Sequence, residues 1–224
     1  MTPPAHHPDA LRPGTTPSLL PAAELTDDVL AAARRLLGCV VVADTPEGEI
    51  RVRLAEVEAY RGADDPGSHS YRGRTARNTV MWGPAGHLYV YFVYGMHFCA
   101  NVTCLTEGVS GAVLLRAGEV VSDLGAAHAR RPTARGRDAE LARGPARLCT
   151  LLGLGREHNG VDVLSSTSTV RLEAGEPVPV GEVRTGPRVG VAAGQQRPWR
   201  FWVAGSPAVT PYKAGRARAD GPDW

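Results

Sequence analysis

Two carboxylates and a tyrosine alternate along one short stretch of the chain, LAEVEAYRGADDPGSHS, residues 54–70. On a β-strand, Glu56, Glu58 and Tyr60 would share one face, with about 6–7 Å between successive positions. Two carboxylates at that separation can act as acid and base on a glycosidic bond. They can also be one catalytic acid beside a structural partner for an arginine, and two acids on a strand are most often merely exposed. The presence of Tyr60 on the same face and of His69 on the following loop favours a catalytic site.

The strand that carries these residues is predicted over residues 50–60, in a hairpin with a strand over 39–43. Strict alternation puts Glu56 and Glu58 on the face of the apolar residues that precede them, of which Leu54 is the last. We therefore expect this strand to run out of the core into a pocket, where Glu58 reaches the site.

A second group of aromatic residues lies in HLYVYFVYGMHFCANVTCL, residues 87–105, whose apolar runs predict a hairpin. Tyr89 and Tyr91 share one face of its first strand. These rings are equally compatible with ordinary core packing, since aromatic residues favour strands. Tyr94 is different, because a ring at a hairpin tip has little to pack against and can wedge into a stack of bases. Asn101 follows on the return strand, within reach of Tyr91.

Positive charge in this chain is local rather than global. The formal net charge is +2, yet the 25 basic residues comprise 24 arginines and one lysine, Lys213. Arginine-rich segments occur at 70–78, which contains no acid, and at 128–147, which has six arginines against two acids. Such patches bind phosphates, although solvated surface arginines explain them equally well. The arginines of the first segment are Arg72, Arg74 and Arg77.

Length and composition predict one globular domain. The chain has 224 residues, of which 43% are hydrophobic and 21% charged. It has no apolar run long enough to span a membrane, and its first residues lack the charged start and apolar centre typical of a signal peptide. We expect a disordered Pro-rich tail over residues 1–18, a domain over 19–212 and a loose tail over 213–224. The four cysteines lack metal-site spacing, which favours buried or free thiols over a metal site, and no P-loop, dinucleotide or HExxH motif occurs.

Short strands outnumber helices in the predicted element order, and their connections resemble hairpins. One helix is expected between an N-cap at Thr26 and a stop at Gly38, and a second in LARGPARLCTLLGL, residues 141–154. The fold class is therefore α+β, a single domain with a mostly antiparallel sheet. Further strands are predicted over 88–93, 98–104, 111–120, 161–165, 169–175, 188–193 and 200–205.

Seven segments occur in a specific order: EVEAY (56–60), HSYRGRTARN (69–78), GHLYVYFVYGMHFCANV (86–102), VLLRAGE (113–119), ARGPARLC (142–149), RVGV (188–191) and RFWVAGSP (200–207). Together they resemble the alkyladenine/3-methyladenine DNA glycosylase family, of the type that includes the mammalian enzyme. The resemblance covers roughly residues 20–210. It implies a compact domain with a curved sheet, flanking helices and a protruding β-hairpin. It also implies an enzyme that flips alkylated or deaminated purines out of double-stranded DNA and hydrolyses their N-glycosidic bond, with no metal or cofactor.

The resemblance assigns a role to each candidate residue. Glu58 would be the general base that activates water, and Arg116 and the backbone carbonyl of Val189 would hold that water. Glu56 becomes a structural or electrostatic neighbour. The other implied roles are base stacking by Tyr60, completion of the base pocket by Tyr91 and His69, exclusion of guanine by Asn101, filling of the duplex gap by Tyr94 and a DNA contact by Met81. Arg72, Arg74 and Arg77 are our candidates for the grip on phosphates.

The lysine content predicts a monofunctional enzyme. A glycosylase that also nicks DNA needs an amine for a Schiff base, and Lys213 lies beyond the matched segments. We expect water as the nucleophile, no lyase activity, and a monomer in the cytoplasm associated with the nucleoid. Two alternatives stay open. A nucleic-acid-binding module would not need Glu58, and a glycoside hydrolase would use Glu56 and Glu58 but would favour grouped tryptophans, whereas the four here are scattered.

Overall fold

The fold is built on one eight-stranded antiparallel sheet, which confirms the expected α+β class. The structure is a computed structural model and describes residues 18–93 and 95–215. Short 3-10 turns join several of its elements. The helices and strands are α1 (Val29–Leu36), β1 (Val40–Thr45), β2 (Gly48–Tyr60), β3 (Leu88–Val93), β4 (His97–Thr103), β5 (Ala112–Val120), α2 (Leu124–Arg130), α3 (Pro145–Leu152), β6 (Val170–Glu173), β7 (Val183–Gly186) and β8 (Arg200–Val203).

Strand β2 organises the sheet because it spans 13 residues and pairs with three other strands. β5 runs along one edge of β2, while β1 and then β8 pair along the other. The strand order is β3-β4-β5-β2-β1-β6, and β7 extends the sheet beside β8. The predicted hairpins β1–β2 and β3–β4 are both present. The sheet therefore brings the β3–β4 hairpin close to the second half of β2.

The hydrophobic core lies where α1 and α3 cover one face of this sheet. Each helix turns an apolar stripe inward, and Leu36 and Leu148 are among its fully buried residues. Gly38 ends the first stripe, as predicted, with a positive φ of 82°. A Cβ at Gly38 would lie 2.4 Å from the carbonyl oxygen of Glu176, so only glycine fits this turn into β1.

The alternation of β2 is broken between Leu54 and Val57, where its pairing with β5 shifts register. Apolar residues up to Leu54 lie in the core, and after the break the core positions are Val57 and Ala59. Glu56 and Glu58 consequently turn to the opposite face. The expectation that they share the face of Leu54 is therefore wrong. The pairing with β5 is irregular only locally, since Leu54↔Gly118 and Val57↔Leu115 keep the same register, so each strand has one extra residue here and the side chains that follow change sides.

Several other local expectations also need correction. The N-cap of α1 is Asp28 rather than Thr26, and its carboxylate accepts hydrogen bonds from the N–H groups of Leu30 and Ala31. Residues 188–193 form a loop instead of a strand. Residues 161–165 contribute only an isolated bridge. The elements α2 and β7 were not predicted, because both are short and α2 has only one fully buried position.

The chain ends lie largely beyond the described residues, which exclude 1–17 and 216–224. Where the predicted C-terminal tail is described, the carbonyl of Lys213 accepts a hydrogen bond of 3.0 Å from the N–H of Gly190. Within the described ranges, no helix has the length and apolar character needed to cross a membrane.

We expect Asp28→Ala to lower the free energy of unfolding by about 1 kcal/mol, because alanine offers no acceptor to the first turn of α1. Thr26→Ala is the matched control. The Thr26 hydroxyl donates to the carbonyl of Ala23 in the preceding turn and not to α1, so its loss should cost less than about 0.5 kcal/mol. Denaturant unfolding of both variants measures the difference, and a larger loss for Thr26→Ala would contradict the capping assignment.

Candidate active site

Glu58 is fully buried near the end of β2, where its carboxylate meets three donors. Oε1 accepts a hydrogen bond of 2.7 Å from the N–H of Val189 and lies 3.3 Å from Nη1 of Arg116. Oε2 accepts a hydrogen bond of 2.8 Å from the hydroxyl of Tyr60. These contacts hold the carboxylate in one orientation, which a group needs when it must take a proton from a defined position.

Glu56 is also fully buried, but structural partners enclose its carboxylate. Oε1 accepts hydrogen bonds from Nε of Arg116 and Nε of Arg200, both at 2.7 Å, and from the Thr210 hydroxyl at 2.8 Å. Oε2 accepts one from the N–H of Thr210 at 2.7 Å. Burial favours the protonated form, but the two guanidinium groups and the Thr210 N–H outweigh it and lower the pKa of Glu56. With its oxygens occupied, Glu56 suits the role of structural neighbour.

Arg116 reaches from β5 and joins the two carboxylates. Its Nε donates to Glu56, its Nη1 faces Glu58, and its Nη2 donates to the Thr210 hydroxyl at 3.2 Å. Burial disfavours its charge, but the carboxylates of Glu58 and Glu56 raise the pKa of Arg116 above its usual value. Four buried side chains form a row of alternating charge with a net charge of zero, namely Glu58, Arg116, Glu56 and Arg200. This pairing of opposite charges offsets the cost of burying each one.

A cluster of rings formed by His69, Tyr89 and Tyr91 lies on the same face of the sheet. The two tyrosines share one face of β3, as predicted, and stack with centroids 5.5 Å apart. The His69 ring meets Tyr91 edge-on at 4.5 Å, and its Nδ1 lies 3.0 Å from the Tyr89 hydroxyl. Although His69 as a whole is exposed, desolvation of its ring lowers its pKa, and Arg77 lowers it further. The imidazole is therefore neutral at pH 7.

Tyr60 lies between Glu58 and a buried arginine, Arg188. Desolvation, with help from the Glu58 carboxylate, raises the pKa of Tyr60 well above its usual value, so its hydroxyl remains a donor. The Cζ of Arg188 lies 4.6 Å from the centroid of the Tyr60 ring. On its other side the guanidinium makes a bidentate ion pair with Asp65, at 2.5 and 2.7 Å. Sequence analysis singled out neither Asp65 nor Arg188.

A buried asparagine, Asn78, shapes the loop that carries the first arginine segment. Its Nδ2 donates to the carbonyls of His69 and Gly73, at 2.9 and 3.0 Å. Its Oδ1 accepts a hydrogen bond of 2.7 Å from the N–H of Thr75. The loop therefore starts from the ring cluster with a defined path. Its exposed arginines are Arg72, Arg74 and Arg77.

The β3–β4 hairpin presents apolar side chains on either side of its turn. Phe92 is 43% exposed and Met96 is 68% exposed. Tyr94, the predicted wedge, lies outside the described residues. Met81 does not have the accessibility expected of a DNA contact. It is only 2% exposed and packs against Tyr89, so its side chain supports the ring cluster and offers almost no surface.

No metal site accompanies these groups in the described part of the chain, where no three His, Cys, Asp or Glu side chains converge in a metal-binding arrangement. The four cysteines are free thiols and are buried. Two surface cavities of about 370 and 330 Å³ lie away from Glu58. Trp82 helps to line the first, and Arg131 and His97 the second.

Comparison with known proteins identifies the family. Residues 23–207 match the model of methylpurine-DNA glycosylase (MPG). The chain belongs to this family. It is 53% identical over 192 residues to a Streptomyces avermitilis protein, covering 85% of this chain and 90% of the relative. A Nocardia farcinica protein is 52% identical over 195 residues, with the same coverage of both chains, 85% and 90%. A Rhodococcus jostii protein is 52% identical over 187 residues, covering 81% and 80%. All three are provisionally named 3-methyladenine DNA glycosylase.

The methylpurine-DNA glycosylase fold brings most of the predicted site residues together. Glu58, Arg116, Tyr60 and Val189 meet at one point, where the N–H of Val189 contacts Glu58. Asn101 lies on β4 beside the ring cluster, 4% exposed, and its Nδ2 donates to the carbonyl of Tyr89 at 3.0 Å. The buried residues that sequence analysis missed are Asp65, Asn78, Arg188 and Arg200.

A signal for two of the missed residues was present in the sequence. Arg188 and Arg200 begin the RVGV and RFWVAGSP segments, both of which carry the family resemblance. Because both guanidinium groups bind carboxylates far away in the chain, neither periodicity nor local charge could reveal their partners.

Glu56→Gln is expected to destabilise the fold by about 3–5 kcal/mol at neutral pH, because Arg116 and Arg200 then lose a buried countercharge. The pKa of folded Glu56 lies below the 4.5 of an ordinary glutamate, so the wild type keeps this contribution above that pH and loses it on further acidification. The stability gap between wild type and variant should therefore narrow below about pH 4.5. Denaturant unfolding at stepped pH measures it, with the exposed Glu49→Gln as control. A gap independent of pH would contradict the assignment.

Proposed function

We propose that this chain is a DNA repair glycosylase that flips alkylated or deaminated purines from duplex DNA and hydrolyses their N-glycosidic bonds with an activated water. The observation that carries the proposal is the buried Glu58 carboxylate, oriented by Arg116, Tyr60 and Val189 beside the ring cluster. Membership of the methylpurine-DNA glycosylase family supports the substrate class. The provisional names of the relatives point to 3-methyladenine among the lesions.

In this mechanism Glu58 is the general base. A water next to the carboxylate gives its proton to Glu58 while its oxygen attacks C1′ of the sugar. The C1′–N bond breaks, and its electron pair leaves with the purine, so a positively charged alkylated purine departs as a neutral base. Glu58 also faces the positive charge that develops on the sugar. Because Arg116 is shared with Glu56, its charge does not fully cancel that of Glu58.

The water is placed by the groups around Glu58. We assign Arg116 to hold it, together with the backbone carbonyl of Val189, as the family resemblance implies. The Val189 N–H already donates to Oε1 of Glu58, which ties the 188–193 loop to the carboxylate. A shift of that loop would therefore move the general base, Glu58, together with the water site. This coupling supports a role for Val189 in catalysis.

The flipped base stacks on Tyr60 and Tyr91, with His69 at its edge. Each base–aromatic stack contributes about 1–3 kcal/mol, which offsets the few kcal/mol needed to unstack and unpair the nucleotide. His69 uses Nδ1 towards Tyr89 and leaves Nε2 for the base. Asn101, fixed by its bond to the Tyr89 carbonyl, crowds the exocyclic amino group of guanine and so excludes the normal base.

Duplex DNA binds across the β3–β4 hairpin and the arginine-rich loop of residues 70–78. Tyr94 fills the space left by the flipped nucleotide, and the exposed Phe92 and Met96 extend the apolar surface around it. The arginines of residues 70–78 and 128–147 neutralise phosphates and fix the register of the duplex. We further propose that the enzyme works as a monomer in the cytoplasm, close to the nucleoid.

Glu58→Gln should reduce single-turnover release of 3-methyladenine or 7-methylguanine from duplex DNA by about 10³-fold, because it removes the proton acceptor. Binding to the same duplex should stay close to wild type, since the DNA grip lies on other residues. Glu49→Gln, the same substitution at the exposed start of β2, should leave the rate unchanged.

The same measurement separates the alternatives. Unchanged base release by Glu58→Gln would remove Glu58 from the mechanism, and tight DNA binding without base release by the wild type would indicate a binding module. Hydrolysis of a carbohydrate glycoside, lost in both Glu56→Gln and Glu58→Gln, would indicate a sugar hydrolase.

Borohydride should trap no covalent adduct between the enzyme and lesion-containing DNA, because the single lysine, Lys213, lies beyond the segments that carry the family resemblance and we assign the attack to water. Electrophoresis of the reduced mixture measures this, and a lyase-type glycosylase serves as the positive control. A trapped adduct that disappears in Lys213→Ala would contradict water as the nucleophile.

A further inference from the structure

The ion pair between Asp65 and Arg188 is the most deeply buried charge pair next to the base pocket, since both side chains are 0% exposed. Its partners are 123 residues apart in the chain. Arg188 also donates to the carbonyl of Ala59, at 3.0 Å, next to the stacking residue Tyr60. A Cβ at Gly67 would lie 2.7 Å from Nη2 of Arg188, so the loop closes tightly over the pair. Such a pair is costly to bury unless both charges are present.

Arg188 occupies one face of the Tyr60 ring. Its Cζ lies 4.6 Å from that centroid and 5.3 Å from the centroid of Trp199, so the guanidinium lies between the two rings. A base that stacks on Tyr60 must therefore use the other face. Adding a stacking distance of about 3.5 Å to the 4.6 Å places the base about 8 Å from the guanidinium.

The charge of the base then matters. Purines alkylated at N7 of guanine or N3 of adenine carry a positive charge, whereas hypoxanthine and 1,N6-ethenoadenine are neutral. An unpaired guanidinium about 8 Å away would repel a cationic base by an amount that corresponds to roughly 30-fold in binding, taking an effective dielectric constant of about 20. The carboxylate of Asp65, in bidentate contact with the guanidinium, offsets its positive charge and so reduces that repulsion.

We propose that Asp65 is a specificity-determining residue that acts through Arg188 and Tyr60: its carboxylate neutralises the guanidinium behind the stacking ring, so that the pocket accepts positively charged purines as well as neutral ones. The inference rests on the proposed stacking role of Tyr60. It assigns Asp65 a function beyond holding its loop, where it also accepts a hydrogen bond of 3.0 Å from the N–H of Gly67.

The test compares a cationic and a neutral lesion in Asp65→Asn. Asparagine keeps an oxygen for the loop but removes the charge. We expect excision of 7-methylguanine to fall about ten- to thirtyfold more than the flipping of 1,N6-ethenoadenine. The fluorescence of 1,N6-ethenoadenine reports its flipping even where its excision is slow. Circular dichroism at the assay temperature checks that the variant is folded. Equal losses for both lesions would overturn the proposal.

A second variant separates charge from structure. In Asp65→Asn combined with Arg188→Met, the unpaired cation is gone, so the ratio between the two lesions should return to the wild-type value even if both rates stay reduced. A purely structural role predicts that the double variant keeps the altered ratio between the two lesions. That result would contradict the proposal.

A third variant distinguishes this inference from the function on which it rests. Tyr60→Leu should weaken flipping of both lesions, because it removes the stacking ring. If Tyr60→Leu flips both lesions as well as the wild type does, the stacking role of Tyr60 is refuted. Loss in Tyr60→Leu together with equal losses in Asp65→Asn would refute only the charge role of Asp65.

Discussion

The break in the alternation of β2 between Leu54 and Val57 is the constraint on which the site depends. Without it, Glu56 and Glu58 would point into the hydrophobic core, where a carboxylate without a partner is too costly to bury. With it, they face Arg116 on β5 and Arg200 on β8. Bulges are common next to active sites because they re-aim side chains while the sheet continues. A local irregularity, with the same register on either side of it, thus turns a core strand into a strand that carries the site.

The buried charges then determine the rest of the layout. Glu58, Arg116, Glu56 and Arg200 form one row, and Asp65 with Arg188 form a separate pair below Tyr60. Each group needs a partner of opposite sign, since removing one member of a buried pair leaves an uncompensated charge. This requirement explains why residues 188–193 form a loop, because the Val189 N–H there binds Glu58 and the Arg188 side chain binds Asp65.

Features set by local pattern could be predicted from the sequence, and features set by distant partners could not. The bounds of β3, the shared face of Tyr89 and Tyr91 and the glycine turn at Gly38 after α1 follow from periodicity and turn chemistry. The bulge in β2 left no local mark, because Leu54–Tyr60 is compatible with unbroken alternation. Glu58 was found through its motif, while Asp65 and Arg188 were missed because their partnership spans 123 residues.

The two faces of the sheet have different tasks in the proposed function. On one face α1 and α3 pack the core, which holds β2, β3, β4 and β5 rigidly in place. The other face inherits that rigidity, so Glu58, Arg116 and the ring cluster are already oriented in the free protein. Preorganised groups need no reordering when the substrate arrives. Phe92 and Met96, in contrast, remain exposed beside the hairpin turn. In the proposed function, a preorganised site leaves more of the free energy of DNA binding for unstacking the lesion.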